Sequence, residues 1–207
     1  MAAPSGWSKA IVARHIVIVQ GHPDPGGGHY GHALARAYLE GATESGHQVE
    51  VLPVAEFDFA LLRTRQEFDC SSPPEVIRNC QRAIAAADHL VIIHPLWLGS
   101  MPALLKGFLE QVFRPDFAFG KPQAPGRPGR KLLKGKSARV VVTMGMPGFA
   151  YRWFYGAHAV KSLERNVLAF TGFRPIRRTL IGTVEARDDA GRKARLAEMR
   201  RLGRLAR

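Results

Sequence analysis

Apolar positions along the chain follow two alternating rhythms. Short, nearly continuous β-branched runs occur at "HIVIVQG" (His15–Gly21), over Asp88–His94 in "DHLVIIHPLW", and at "SARVVVTM" (Ser137–Met144). Runs this short and this apolar predict strands buried on both faces. "HQVEVLPV" (His47–Val54) alternates and predicts another strand, and "FRPIRRTLIGTV" holds a fifth. Between these runs the spacing changes to that of helices. Leu34, Tyr38 and Leu39 mark a helix over Tyr30–Ser45 that stops at Gly46, and Val76, Ile77 and Ile84 mark one over Glu75–Ala87. Met101–Phe113 reads as a helix with Pro102 in its first turn, where a missing N–H costs little. Ala157–Thr171 and the segment from Asp188 onward complete the set, and Glu56–Pro74 reads as a long connection.

Strand–helix alternation with fully apolar strands predicts a parallel sheet covered on both faces. Five strands at this spacing fit a doubly wound α/β sheet in the flavodoxin-like order 2-1-3-4-5, whose ligand lies at the carboxyl ends of the strands, at the switch point. One domain is expected over 1–207, with 1–13 extended or disordered and 188–207 a basic C-terminal helix. In this strand order, the loops after strands one, three and four become neighbours.

The 207 residues are 46% hydrophobic, enough for one core. No apolar run approaches the roughly 20 residues that cross a bilayer, and the first residues lack the pattern of a signal peptide. Cys70 and Cys80 are the only cysteines, which excludes a disulfide framework and makes a cytoplasmic location the default. Neither has partners at zinc-ligand spacing, so no metal site is expected. The 30 Lys+Arg against 17 Asp+Glu give a net charge of +13, which favours anionic partners. The basic clusters Lys121–Lys136 and Arg192–Arg207 lack interleaved aromatics, so they read as a solvated loop and a helix rather than a nucleic-acid surface.

The loop after the first strand, "GHPDPGGGHYGH", puts glycines ahead of a helix N-terminus. Unpaired N–H groups there carry partial positive charge and bind phosphate, and glycine allows close approach. The pattern is neither G-x-G-x-x-G nor a Walker loop, and it suits a single phosphate. His22 is a candidate phosphate contact or turn cap. In "HPLWLGSMPALLKG" (His94–Gly107), the backbone of Leu96–Gly99 can face the polar edge of a flat ring while Trp97 forms an apolar wall. "TMGMPGFAYRWFYGAH" (Thr143–His158) reads as a loop able to cover one side of such a ring, with Tyr151 and His158 at its edge.

"HPLWLGSMPALLKGFLEQVFRPDFAFG" closely resembles the signature segment of the NAD(P)H:quinone oxidoreductase family, and the resemblance runs in order from about Arg14 to Glu185. It implies a homodimer with FMN or FAD at the interface, reduced by NAD(P)H and reoxidised by a quinone. By position it implies that His22 and the Tyr30–Gly31 turn hold the flavin phosphate. Leu96, Trp97, Leu98 and Gly99 would lie at the isoalloxazine edge, and Thr143, Met144, Gly145 and Met146 beside the pyrimidine end. Tyr151 and His158 would meet the charge that develops there, as hydrogen-bond donor and proton source. The chain departs from the family at Gly28 and Gly31, where Ser and Asn are common, leaving the phosphate to backbone N–H groups and His29. Met146 also replaces the second of two common glycines. The short segment after Phe119 and the early end after the last strand resemble shorter bacterial members, including ancillary subunits of potassium-efflux systems. FMN is slightly favoured on that ground. Two other classes remain: a flavin- or nucleotide-binding regulatory subunit of such a membrane partner, and a nucleic-acid-associated protein suggested by charge alone. The aromatic stretches Phe108–Phe119 and Phe149–His158 are expected to form a two-fold interface.

Overall fold

Consecutive residues of the inner strands point to opposite sides of one sheet, and both sides are apolar. In the computed structural model, which describes residues 12–70, 72–121 and 129–207, Val17 and Val19 of β1 (His15–Gln20) enter one layer and Ile16 and Ile18 the other. The same split separates Leu90 and Ile92 from Val91 and Ile93 in β3 (His89–Pro95), and Val140 and Val142 from Val141 in β4 (Ser137–Thr143). A strand buried on both faces has no polar side to show, which is why these runs are continuous rather than alternating. Each such side chain contributes about 1.5–3 kcal/mol of burial. With β2 (Gln48–Pro53) and β5 (Ile176–Ile181) at the edges, the order is β2-β1-β3-β4-β5 and every pairing is parallel. This is the doubly wound order expected from the sequence.

One face carries α3 (Glu75–Ala86), α4 (Ala103–Val112) and α6 (His158–Ser162), which runs on as a wider π-helical turn over Leu163–Ala169. The other face carries α1 (Tyr30–Glu44) and α7 (Asp189–Arg204). These two helices meet at glycine. A Cβ on Gly41 would lie 1.9 Å from the Arg200 carbonyl oxygen, and one on Gly203 2.1 Å from that of Tyr38. Glu44 fastens the same contact through Arg200 and Arg204. Asp188 caps α7 by accepting from the Gly191 N–H at 2.9 Å.

Local punctuation differs from expectation at four places. Pro102 precedes α4 as its extended N-cap instead of lying in the first turn. The expected connection Glu56–Pro74 contains a short helix, α2 (Arg65–Cys70), whose entry Thr64 fixes by accepting from the Glu67 N–H at 3.1 Å. The expected loop Thr143–His158 contains α5 (Gly148–Trp153), started by the Pro147 turn. The helix expected over Ala157–Thr171 begins at His158, because Ala157 is left-handed with φ 47°. Residues 1–11 and 122–128, and with them most of the expected N-terminal extension and part of the first basic cluster, lie outside the described residues. No described helix is long and apolar enough to cross a membrane.

Candidate functional site

The register aligns the carboxyl ends of the three inner strands. Gln20 is opposite Ile93, and Pro95 is opposite Thr143. The loops leaving these positions therefore share one edge of the sheet, and two bonds lace them: the Gly21 N–H donates to Ile93 at 2.8 Å and the Leu96 N–H to Thr143 at 2.7 Å.

The first loop is built around histidines. Buried His22 donates its N–H to the Gln20 side-chain oxygen at 2.7 Å. Its ring Nδ1 accepts from the Asp24 N–H at 3.1 Å, so any ring proton of neutral His22 sits on Nε2. Asp24 turns the loop by accepting from the Gly26 N–H at 2.8 Å and holds His29 Nε2 at 2.6 Å. The His22 ring stacks on His29, with His32 5.3 Å away. Burial, followed by the neighbouring His29, holds both His22 and His32 below the usual imidazole range. Gly27 has φ +71°, which favours glycine, and nothing lies within 4 Å of a Cβ at Gly27 or Gly28. Here α1 begins with no acid in its first turn and no side-chain cap from His29. Two buried atoms beside it, Gln20 Nε2 and His32 Nδ1, have no hydrogen-bond partner among the described residues. Open glycines, an uncapped helix start and an unpaired amide donor fit a phosphate. Tyr30 stands at this helix start with Gly31 behind it. The Tyr30 hydroxyl reaches the Arg192 carbonyl at 3.4 Å, and a Cβ on Gly31 would lie 3.8 Å from Gln20 Nε2.

Trp97 joins the second loop to the first, its ring meeting that of His22 edge-on at 5.9 Å. It is 50% exposed, so it lies at the mouth of the site and not in the core. Trp97 and Ser100 exchange backbone hydrogen bonds at 2.8 and 2.9 Å around Leu98 (φ 45°) and Gly99 (φ 76°). The expectation that all of Leu96–Gly99 face a ligand narrows accordingly. The N–H groups of Leu96 and Trp97 are already used, and those of Leu98 and Gly99 stay available. A cavity of about 420 Å³ runs from Trp97 and Leu98 past Lys106 to Ala159 and Ser162.

In the third loop Thr143 and Met144 are buried, Gly145 is exposed and Met146 is half-buried. The Met144 and Met146 carbonyls accept from Val184 and Thr183 at 3.3 and 3.1 Å, which ties this loop to the segment after β5. Tyr151 belongs to the core with its hydroxyl buried near the Val160 backbone; burial raises its pKa. His158 is exposed at the start of α6, its ring over Gly156. The Ala157 N–H donates to the Tyr151 carbonyl at 3.0 Å, yet among the described residues no hydrogen bond or ring contact joins the side chains of Tyr151 and His158. Gln20, Asp24 and His32 were missed by the sequence reading. A polar residue ending the run "HIVIVQ" was the available signal for Gln20.

A flavodoxin-like fold family model matches residues 14–202. The chain belongs to the flavodoxin-like fold family. Within that family it is 27% identical over 169 residues (80% of this chain, 82% of the relative) to an uncharacterized NAD(P)H oxidoreductase of Haemophilus influenzae. It is 24% identical to the mouse ribosyldihydronicotinamide dehydrogenase [quinone], over 90% of this chain and 89% of that one. A shorter stretch of 73 residues, 35% of this chain and 36% of the relative, is 41% identical to the glutathione-regulated potassium-efflux ancillary protein KefG of Salmonella paratyphi B. Among solved flavodoxin-like structures, an FMN-dependent NADH-azoreductase from Bacillus anthracis, in complex with FMN, superposes with a TM-score of 0.70 at 17% identity, covering 93% of this chain and 99% of that one.

Proposed function

We propose that this protein is a flavin-dependent oxidoreductase that passes a hydride from NAD(P)H to a quinone or similar acceptor. The observation that carries the reading is the meeting of a phosphate cradle and an aromatic wall, through His22 and Trp97, at the carboxyl edge of β1 and β3. The names of the relatives agree with it: NAD(P)H oxidoreductase, quinone dehydrogenase and FMN-dependent azoreductase. Bound flavin supplies the redox chemistry, and the protein binds and orients it.

The first turn of α1, Gly26–Gly28, Gln20, His22 and His29 would hold the phosphate. FMN, with its single phosphate, is favoured over FAD. Trp97 shields one end of the ring, and the free N–H groups of Leu98 and Gly99 face its polar edge. Loop Thr143–Met146 covers the pyrimidine end. There a donor stabilises developing negative charge, an effect worth about 3–4 kcal/mol where one such donor has been removed. Tyr151 carries a buried hydroxyl for that role, and His158 stands at the surface at the start of α6. A homodimer would cover the exposed Phe154 and Tyr155 and the apolar cavity bounded by Phe68, Phe119 and Phe170. With two cysteines and this cofactor class, the cytoplasm is the compartment we assign.

Purified protein should be yellow, release flavin on heating, and oxidise NADH or NADPH only when a quinone is supplied. Colourless protein that takes up neither FMN nor FAD on reconstitution sinks the reading. The KefG match favours a second, narrower role as accessory subunit of a potassium-efflux protein, with the same flavin site. In that case transport by the partner would depend on the bound flavin, while quinone turnover would be dispensable.

A further inference from the structure

A second cavity, of about 900 Å³, opens at the edge of the sheet beside β5. None of the residues assigned to the flavin lines it. Its volume lies within the range of small-molecule sites, about 300–1,000 Å³. Four arginines line it, Arg152 from α5, Arg178 from β5, Arg187 from the following loop and Arg195 from α7, and no carboxylate does. Glu164 pairs with Arg178, and Glu198 with Arg195 at 2.6 Å. Arg152 and Arg187 have no carboxylate partner among the described residues. The Arg187 Nη2 donates to the Gly182 carbonyl at 2.9 Å, while its buried Nε has no acceptor among the described residues. Gly148 and Gly182 line the cavity where the α5 and β5 loops touch; a Cβ on Gly182 would meet the Gly148 nitrogen at 2.3 Å.

The wall toward α5 is aromatic. Phe149 and Trp153, four residues apart on one helical face, are 71% and 78% exposed, and the Arg152 guanidinium lies 5.5 Å from the Trp153 ring centroid. Two guanidinium groups with no carboxylate partner among the described residues, Arg152 and Arg187, beside two more that are ion-paired, call for an anionic ligand, because guanidinium forks match phosphate oxygens. Two exposed rings beside them call for a flat group to stack.

We propose that this cavity is a binding site for a nucleoside phosphate, its phosphates on Arg152 and Arg187 with Arg178 and Arg195 beside them, and its base against Trp153 and Phe149. The site stands independently of the flavin reading, since it shares no side chain with it. Calorimetric titration of the full chain, saturated with whichever flavin it retains, tests it with ADP, adenosine and pyrophosphate at about 0.15 M salt. ADP should bind, with adenosine and pyrophosphate each weaker by about tenfold or more, the equivalent of one charge-assisted contact or one stacked ring. Arg152→Gln, Arg195→Gln and Trp153→Ala should each weaken ADP binding by about tenfold, with flavin content and melting temperature unchanged. Pyrophosphate as tight as ADP would make this a simple anion site and overturn the proposal. ADP binding indifferent to all three variants would place the nucleotide elsewhere and also overturn it, as would a single-stranded oligonucleotide that competes on the same arginines more tightly than ADP. Failure of flavin reconstitution leaves the measurement intact, so the two readings fail separately.

Discussion

The imidazoles of His22 and His29 stack with centroids 3.9 Å apart and planes 17° apart. Two cations in that geometry repel, and Asp24 pairs directly with His29 while acting on His22 only from a distance and through its backbone N–H. Burial and this neighbour keep His22 below the usual imidazole range, and His32 is held down in the same way. A phosphate dianion arriving beside them reverses the balance by favouring the protonated rings. Binding of flavin phosphate should therefore take up protons, so affinity should rise as pH falls from about 8 toward about 6.5, the ordinary imidazole value. Titrations in two buffers of different ionisation enthalpy would measure the uptake, and His22→Gln with His32→Gln should abolish it. Proton release, or none, would remove these rings from the phosphate site.

Two other histidines are buried neutral. Burial pushes His89 down to about 3 and His94 to about 4 from 6.5. A depressed base contributes stability that is complete above the unfolded value and is lost as pH falls toward the folded one. Between about pH 6.5 and 4.5, before carboxylates protonate, each should remove about 1.4 kcal/mol per pH unit. Denaturant midpoints across that window should fall steeply, and His94→Gln should reduce the slope by about one such increment. A flat profile would mean that these rings reach solvent.

The α1–α7 contact depends on backbone touching backbone. Because the Arg200 carbonyl would be 1.9 Å from a Cβ at Gly41, Gly41→Ala should force the helices apart and cost more than about 3 kcal/mol in urea unfolding, despite alanine's better helix propensity. Gly28→Ala, where a Cβ meets nothing, should be nearly neutral for folding.

What could be read from the sequence divides along physical lines. The runs "HIVIV", "LVIIH" and "ARVVV" are apolar because both faces are covered, and a signal of that kind survives without neighbours. The positions of His22 and Trp97 followed from the strand order. The stacking of His22 on His29 did not, because it depends on the Asp24 turn and on rotamers that no spacing encodes. The helix α5 was hidden for a related reason. Four of its six residues are glycine or aromatic, with poor helix propensity, and Pro147 and the fold beside β5 set it. Burial of Tyr151 was hidden too, since a ring among four other aromatics gives no sign of which one turns inward.

Tyr151 and His158 can be separated by experiment because the structure keeps them apart. Tyr151→Phe removes only the hydroxyl and keeps the buried ring, so the fold should hold and flavin should stay bound. Reduction of the flavin by NAD(P)H in a single turnover should slow by about 100-fold if the hydroxyl meets the developing charge. His158→Ala should slow the same step by about 100-fold if its imidazole supplies the proton. Unchanged rates in both would clear them of the chemistry.

The aromatic stretches expected to form an interface behave in two ways. Phe108 and Phe113 are buried and Phe117 packs on the core, so a charge at Phe117 reports on folding and not on association. Phe149 and Trp153 face the basic cavity. What remains outside is Phe154 with Tyr155, 83% and 54% exposed, and Phe170, 40% exposed, its ring 5.1 Å from Phe119 at the apolar cavity. Exposed rings around an apolar hollow are what a partner surface needs. In a two-fold contact each patch meets its twin, so one substitution acts twice. Phe170→Asp or Tyr155→Asp should therefore weaken a dimer by well over about tenfold while leaving the monomer's melting temperature within a few degrees. Sedimentation equilibrium of the native chain and the two variants decides it. A native chain that sediments as a monomer with full flavin content and activity would show that the patch covers nothing and that the site is complete in one subunit.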